Sequence, residues 1–465
     1  MNEKYLNVLK RLYNTNKFKS RKVDLNLIQR ACILFNNPEK KIDYIHVTGT
    51  NGKGSVCKKL ASTFVKSGMK TGLFISPHIS TFRERIQIND NYIEKEYITE
   101  ELERIYNVID KNEVDLSYFE IVTLLCFNFF RDNKIDIGVM EVGLGGNLDA
   151  TNVIDPLLSI ITSIGMDHMD SLGYTQKEIA EKKSGIIKLN KPAIIGSDCN
   201  PVEVFENRCR ETNSPLYMCE RKEYTDIFID YDKENSDIVT KAVEVLKRHY
   251  PTRFYSITPD ILNYGLKQMQ PCRKEYVYEV LGKENLINHL SSNYNIKLNK
   301  KLKHILLDVG HNTHGIEKLI YNLRQENPKS FIRVVCGFSA NKDKNEILRI
   351  ISSNSDLIYF VSAKHPRATI YSDLLEELEA FLLNFNYDKS LFRDLDYEHR
   401  KRNKGDVKKV ILQAIEDSNQ SDNKEEILLI CGSFYLMNEA RDTLGYIEEK
   451  DPLELNEMNP IKFRI

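Results

Sequence analysis

Residues 41–55 constrain the fold more than any other stretch, running Lys41-Ile42-Asp43-Tyr44-Ile45-His46-Val47 and then Thr48-Gly49-Thr50-Asn51-Gly52-Lys53-Gly54-Ser55. Ile42 to Val47 is of strand length and mostly apolar or β-branched. Thr48 to Ser55 supplies three glycines, an amide, a lysine and three hydroxyls, and a helical pattern from Lys53 to Lys66 stops at Ser67-Gly68. A strand that turns through glycines into a helix N-terminus aims unpaired N–H groups at one point, where the helix dipole also favours an anion. Lys53 adds a point charge, and Ser55 a hydroxyl able to reach a phosphate or its metal. This is the recipe of a nucleotide-phosphate loop, with Gly49, Thr50, Asn51, Gly52, Lys53, Gly54 and Ser55 as its contacts. A Walker A loop has the hydroxyl directly after the lysine, whereas here Gly54 separates them. The competing reading is a glycine turn before an ordinary helix.

At 465 residues the chain exceeds one ordinary core, so two domains are expected. Its 66 basic and 67 acidic residues leave a net charge of −1, without the electrostatic footprint for nucleic acid or an anionic membrane. No segment is apolar for long enough to span a bilayer, and the mixed charge of Met1 to Lys4 is unlike a signal peptide. Nine scattered cysteines with no C-x-x-C pair argue against zinc and against a disulfide framework. The expected compartment is the cytoplasm.

Residues 2–36 read as two short helices joined by a polar link around Ser20 to Asp24. Strands are expected at Thr71 to Ser76, Ile135 to Val142 and Leu157 to Ile164. Leu102, Ile105, Tyr106 and Ile109 mark one helix face. Ser117 with Glu120, and Thr175 with Glu178, have capping-box spacing at the starts of two further helices. Strands alternating with helices from 42 to 196 imply a parallel sheet covered on both faces. Ligands then belong beyond the carboxyl ends of the strands, where Gly49 to Ser55, Ser76, Glu141 and His168 all lie. From Tyr217 to Leu302 the pattern weakens, with a helix over Ser236 to Lys247, a break at Gln270 to Arg273 and a short strand over Tyr276 to Val280. Lys283 to Lys301, rich in Asn and Lys, reads as a solvated insertion. Strands at His304 to Asp308, Phe331 to Cys336, Leu357 to Val361 and Ile427 to Cys431 then build a second, smaller α/β domain, with the boundary at Arg273. Two such domains create a cleft, a usual place for a ligand closed off from water.

Glu141 ends an apolar strand close in the sheet to the phosphate loop. A carboxylate there suits Mg²⁺, which takes one or two protein oxygens plus substrate phosphates; a charged strand end is the bland alternative. His168 follows another strand end, and an isolated histidine is more often structural. Lys183 shares a helical stripe with Ile179, Ile186 and Ile187, so it either snorkels or pairs, the leading reading from the residues, or is neutral through a lowered pKa. A neutral amine can take up CO₂ as a carbamate and so become an oxygen ligand for metal. Asp308 to Asn312 either hydrogen-bonds a ribose or base or simply caps a helix. Arg273 at the hinge is a candidate phosphate contact.

Taken together, Thr48 to Ser55, Ser76-Pro77-His78, Arg83 to Ile86, Phe119-Glu120, Glu141 to Gly146, Leu148 to Asn152, Asp167-His168, Lys183 to Ile186 and Asp308 to Asn312 resemble the folylpolyglutamate synthase and dihydrofolate synthase family of the Mur ligase superfamily. The resemblance implies an N-terminal P-loop ATPase domain (1–272) and a Rossmann-like C-terminal domain (273–465). It implies ATP-dependent amide formation, in which a pteroate or folate carboxylate becomes an acyl phosphate that the amine of L-glutamate attacks. It places Gly52 to Ser55 on the ATP phosphates and Ser76, Glu141 and His168 on Mg²⁺. Lys183 falls on the family's carbamylated lysine at a second Mg²⁺, so Lys53, His168 and Lys183 are the catalytic candidates. Asn235, Arg273 and Asp308 would contact the nucleotide, and Ser117, Phe119, Asp149 and His311 the other substrates. The expected partners are small molecules (dihydropteroate or folate, L-glutamate and ATP), bound by a monomer.

The chain departs from the family at Asn147, usually arginine, and at Lys182, usually Glu. Pro271-Cys272-Arg273 replaces Pro-Gly-Arg, and Asp308-Val309-Gly310-His311-Asn312 replaces Asp-Gly-Ala-His-Asn. These changes bear on substrate preference more than on ATP chemistry. The alternatives are a monofunctional folylpolyglutamate synthase, another Mur-type ligase, whose N-terminal nucleotide-sugar domain has no room in the roughly 40 residues before the loop, or a nucleotide-gated binding protein.

Overall fold

A computed structural model describes residues 2–15, 24–220, 231–340, 344–385, 387–423 and 425–452. The chain divides between Gln270 and Pro271 into two compact units. Helices Asn2–Asn14 and Asn26–Leu34 form as expected; of the link proposed at 20–24, all but Asp24 lies outside the described residues.

In the first unit, β1 (Asp43–Thr48), β2 (Thr71–Phe74), β3 (Ile86–Ile88), β4 (Asn91–Tyr92), β5 (Ile137–Glu141), β6 (Leu158–Ser163), β7 (Ala193–Asp198) and β8 (Leu216–Met218) form one sheet. Its order is β4-β3-β2-β5-β1-β6-β7-β8, parallel except at β3 and β4. β1, β5 and β6 are buried almost throughout, the polar His46, Thr48, Ser159 and Thr162 included, as a sheet covered on both faces requires. On one face, Val56, Leu60 and Phe64 of the helix Lys53–Lys66 pack with Ile45, Val139 and Ile160 and with Ile238, Val239 and Leu246 of the helix Tyr231–His249. A second cluster joins Ile179 and Ala180 of the helix Gln176–Ser184 to Ile161, Ile195 and Phe205. Each fully buried aliphatic or Phe side chain contributes about 1.5–3 kcal/mol, so this packing fixes the strand ends relative to the two helices. Both predicted capping boxes are present, at Ser117/Glu120 and Thr175/Glu178, and Leu102, Ile105, Tyr106 and Ile109 are buried on one face of Lys95–Lys111.

In the second unit, β9 (Glu275–Tyr276), β10 (Leu302–Leu307), β11 (Phe331–Cys336), β12 (Leu357–Phe360) and β13 (Glu426–Cys431) form a sheet in the order β12-β11-β13-β10-β9. Only β9 runs antiparallel.

The structure departs from expectation in two segments. The strand over Tyr276 to Val280 is confined to β9, because only Glu275 and Tyr276 find partners, on Leu307 and Leu306. Val277–Leu281 is helical instead and buries Val277, so tertiary packing overrides the β-propensity of Val and Tyr. Lys283 to Lys301 is not a solvated insertion. Lys283–Tyr294 is a helix that buries Leu286 and Leu290 at i, i+4 spacing, and Ile296 is buried after it. Among the described residues, no helix is long and apolar enough to cross a membrane.

Candidate active site

The loop after β1 is pinned by the end of β6. Thr50 N donates to Ser163 O at 2.9 Å, Asn51 N to Ser163 Oγ at 3.0 Å, and the Thr162 hydroxyl to Asn51 O at 2.5 Å. Gly165 N donates to Thr50 Oγ1 at 3.0 Å. Gly52 caps the helix Lys53–Lys66 with φ +83°, a conformation that glycine takes at little cost. A methyl group there would also stand 2.3 Å from Asn235 Oδ1. Asn235 is buried on Tyr231–His249, and its side-chain amide lies against Gly52 of the loop. Gln270, which sequence reasoning missed, lies against Gly54, its Oε1 2.5 Å from where a methyl would sit. Ser55 is buried in the first helical turn.

Lys53 Nζ donates to Gly49 O at 3.0 Å and to Thr50 O at 3.2 Å. Lys183 Nζ donates to the same Gly49 oxygen at 2.8 Å. Lys183 is 4% exposed within its apolar stripe, so it does not snorkel. Burial, and then the neighbouring Lys53 charge, pull its ammonium down to about 7 against the opposing pull of Asp167. A substantial fraction of this amine is therefore neutral near pH 7.

β5 lies between β2 and β1, with Glu141 in register with Val47. Glu141 is buried, and Ser76 N donates to its Oε2 at 2.9 Å. Cys57, whose thiol burial pushes up, feels both the Glu141 and Lys53 charges, so carboxylate and ammonium flank the start of one helix. His168 stands three residues beyond the Thr50–Gly165 contact, in the left-handed region at φ +50°, with an exposed ring 3.9 Å from an Asp167 oxygen. Among the described residues, no three His, Cys, Asp or Glu side chains gather as a metal cluster. The donors assembled are of another kind: one buried carboxylate beside Ser76 and a glycine cradle. That set fits a Mg²⁺-like ion, which completes its shell with phosphate oxygens and water.

On the side expected to hold the pterin, Phe119 is half-buried, its ring 5.9 Å from that of Phe74. A methyl at Gly143 would meet it at 2.5 Å. Ser117 donates its hydroxyl to Glu120 at 2.6 Å. Asp149 is buried and accepts from Leu144 N (2.9 Å), Thr151 N (3.0 Å) and the Thr151 hydroxyl (2.5 Å). Burial pushes its carboxyl up while these donors oppose the shift. Asp149 thus organises its own loop. That loop docks on the helix of Lys183: Asn147 N donates to Lys182 O at 2.9 Å, and a methyl at Gly146 would stand 2.9 Å from the carbonyl oxygens of Lys182 and Lys183.

In the second unit, Asp308 follows β10 and accepts from Gly310 N (2.6 Å) and Lys274 N (2.8 Å). Arg273 lies over the Phe434 ring at 4.8 Å, and the His311 ring is 5.6 Å from the same ring. Cys272 holds φ +56° where the related motif has glycine, and it is fully buried.

Two family descriptions match the chain, "Mur ligase middle domain" over residues 47–292 and "Dihydrofolate synthetase, C-terminal domain" over 291–443. The dihydrofolate synthase/folylpolyglutamate synthase of Bacillus subtilis (strain 168) is 31% identical over 458 residues, spanning 91% of this chain and 95% of the relative. The chain belongs to this family. The folylpolyglutamate synthase of Lacticaseibacillus casei is 28% identical over 88% of this chain and 91% of its own length. Among solved structures, E. coli FolC in complex with DHPP and ADP shares the fold at a TM-score of 0.73 with 22% identity, over 95% of this chain and 97% of that one. A bifunctional folylpolyglutamate synthase/dihydrofolate synthase with Mn, AMPPNP and L-glutamate bound does so at 0.73, with 22% identity, over 94% of this chain and 97% of that one. The family descriptions run through 283–301, the segment expected to be an insertion.

Proposed function

We propose that this chain is an ADP-forming ligase that joins L-glutamate to dihydropteroate and to folates. The observation that carries the reading is the convergence of Lys53 and Lys183 on the Gly49 carbonyl, beside the buried Glu141–Ser76 pair. The N–H groups at the start of Lys53–Lys66, with Lys53 and Ser55, would bind the ATP phosphates. Ser76, Glu141, His168 and Lys183 would hold two divalent ions, and a bound cation offsets charge gathering on the phosphoryl oxygens.

In this reading, leaving-group chemistry sets the order of events. A substrate carboxylate oxygen attacks the γ-phosphorus and ADP leaves, giving an acyl phosphate. The amine of glutamate then attacks the acyl carbon; inorganic phosphate leaves, the amine loses its proton and an amide remains. Phosphorylation is needed because a carboxylate oxygen leaves poorly. The neutral fraction of Lys183 can add CO₂ and release a proton, and the resulting anionic carbamate would attract Lys53, which the ammonium form repels. Phe119 supplies an apolar face for a pterin ring, with Ser117 and Asp149 beside it. We assign the first unit to ATP binding and the second to glutamate ligation, with Arg273 and Asp308 as nucleotide contacts and His311 as a substrate contact.

The test is phosphate release from ATP with each component omitted in turn. Release that requires both glutamate and a pterin acid supports the reading. Release without a pterin acid, or only with a peptidoglycan precursor, overturns it.

A further inference from the structure

His46 lies inside β1, two residues before the phosphate loop begins at Thr48, and is fully buried. Burial, with Lys188 adding to it, pulls its imidazole down to about 3, so the ring is neutral at working pH. Its Nε2 is 2.8 Å from Thr151 Oγ1, which is in turn 2.5 Å from Asp149 Oδ1. Thr151 donates its single hydroxyl proton to Asp149 Oδ1. Towards His46 the same oxygen must then accept, and His46 carries its proton on Nε2. The other ring nitrogen, Nδ1, is buried with no hydrogen-bond partner. An apolar residue would fill this strand position without leaving a nitrogen unsatisfied. What the imidazole supplies is one N–H, aimed at Thr151.

We infer that His46 is a positioning residue for the acid substrate, acting through Thr151 on Asp149. The His46 N–H orients the Thr151 hydroxyl, and the hydroxyl holds Asp149 Oδ1. Asp149 Oδ2, gripping Leu144 N, then sets the loop that passes Gly143 beneath Phe119. The strand that ends in the phosphate loop thereby also fixes the opposite wall of the site. The consequence for substrate binding rests on the proposed function; the hydrogen-bond chain does not.

Four variants and one spectrum test this. His46→Leu and Thr151→Val should each raise KM for dihydropteroate about tenfold while KM for ATP stays within about twofold. His46→Gln, which keeps an N–H at similar reach, should restore KM to within about threefold of wild type. The double variant His46→Leu/Thr151→Val should be no worse than either single one, since both break one chain. Equal rises in both KM values, or a Gln variant as impaired as Leu, would overturn the inference. If the variants do not fold, or the wild type lacks ligase activity, imidazole ¹⁵N shifts of the intact wild-type chain still decide the geometry. They should show His46 as the neutral Nε2–H tautomer from about pH 5 to pH 9. An Nδ1–H tautomer or a charged ring in that range would overturn the chain, whereas absent activity alone would count against the proposed function.

Discussion

Replacing Lys183 by methionine should make the metal-free protein more stable, and by an amount that depends on pH. Burial and Lys53 hold the Lys183 ammonium near 7 against an ordinary 10.5, which corresponds to on the order of 5 kcal/mol against the native state while the group is charged. The unfolded chain keeps this proton up to about pH 10.5, and the native chain only below about pH 7. Between those limits the unfolded state binds more protons, so wild-type stability rises with pH by about 1.4 kcal/mol per unit. The full cost applies below pH 7 and vanishes above 10.5. Methionine fills similar volume without charge and forfeits the bond to Gly49 O, about 1 kcal/mol. Urea midpoints in CO₂-free, chelator-treated buffer should therefore favour Lys183→Met by a few kcal/mol at pH 6.5, with the gap closing by about 3 kcal/mol between pH 7 and 9. Added bicarbonate should narrow the gap from the wild-type side alone. Parallel stability curves would show that the native amine is not depressed and would refute the reasoning.

Lys53→Ala should lower ATP turnover at least about 100-fold, because the loop loses its cation; near-normal phosphate release would contradict the phosphate-loop reading. Gly146→Ala should cost about 1–3 kcal/mol and impair activity, since its methyl would press on two backbone carbonyls of the Lys183 helix; an unchanged melting curve would contradict that docking. Cys272→Gly should stay within about 1 kcal/mol of wild type, as relief at φ +56° offsets lost packing, whereas Cys272→Val should lose about 2 kcal/mol by denaturant titration.

Local rules made much of the fold legible. The helix Lys53–Lys66 has the expected bounds because glycines start it and Ser67-Gly68 stop it. The capping boxes at Ser117 and Thr175 close as their spacing implies. Val277–Leu281 escaped because its β-branched residues find no strand partner, and Lys283–Tyr294 because polar composition hid the Leu286–Leu290 pair. In the site, the stripe put Lys183 on an apolar helix face, but neither its full burial nor its bond to Gly49, 134 residues away in sequence, followed from it. Gln270 belongs to no motif. His46 carried one signal, a histidine inside a buried strand, whose meaning depends on Thr151, a partner 105 residues away that only the fold brings near. Asp149 was expected beside a substrate, yet its oxygens are engaged by its own loop.

The direct test of the central claim is mass analysis of products made by the intact chain from dihydropteroate and, separately, from tetrahydrofolate, each with ATP, Mg²⁺ and glutamate. Each acid should gain one or more glutamyl units, with one phosphate released per amide bond. Phosphate released without any change in the mass of either acid would contradict that claim.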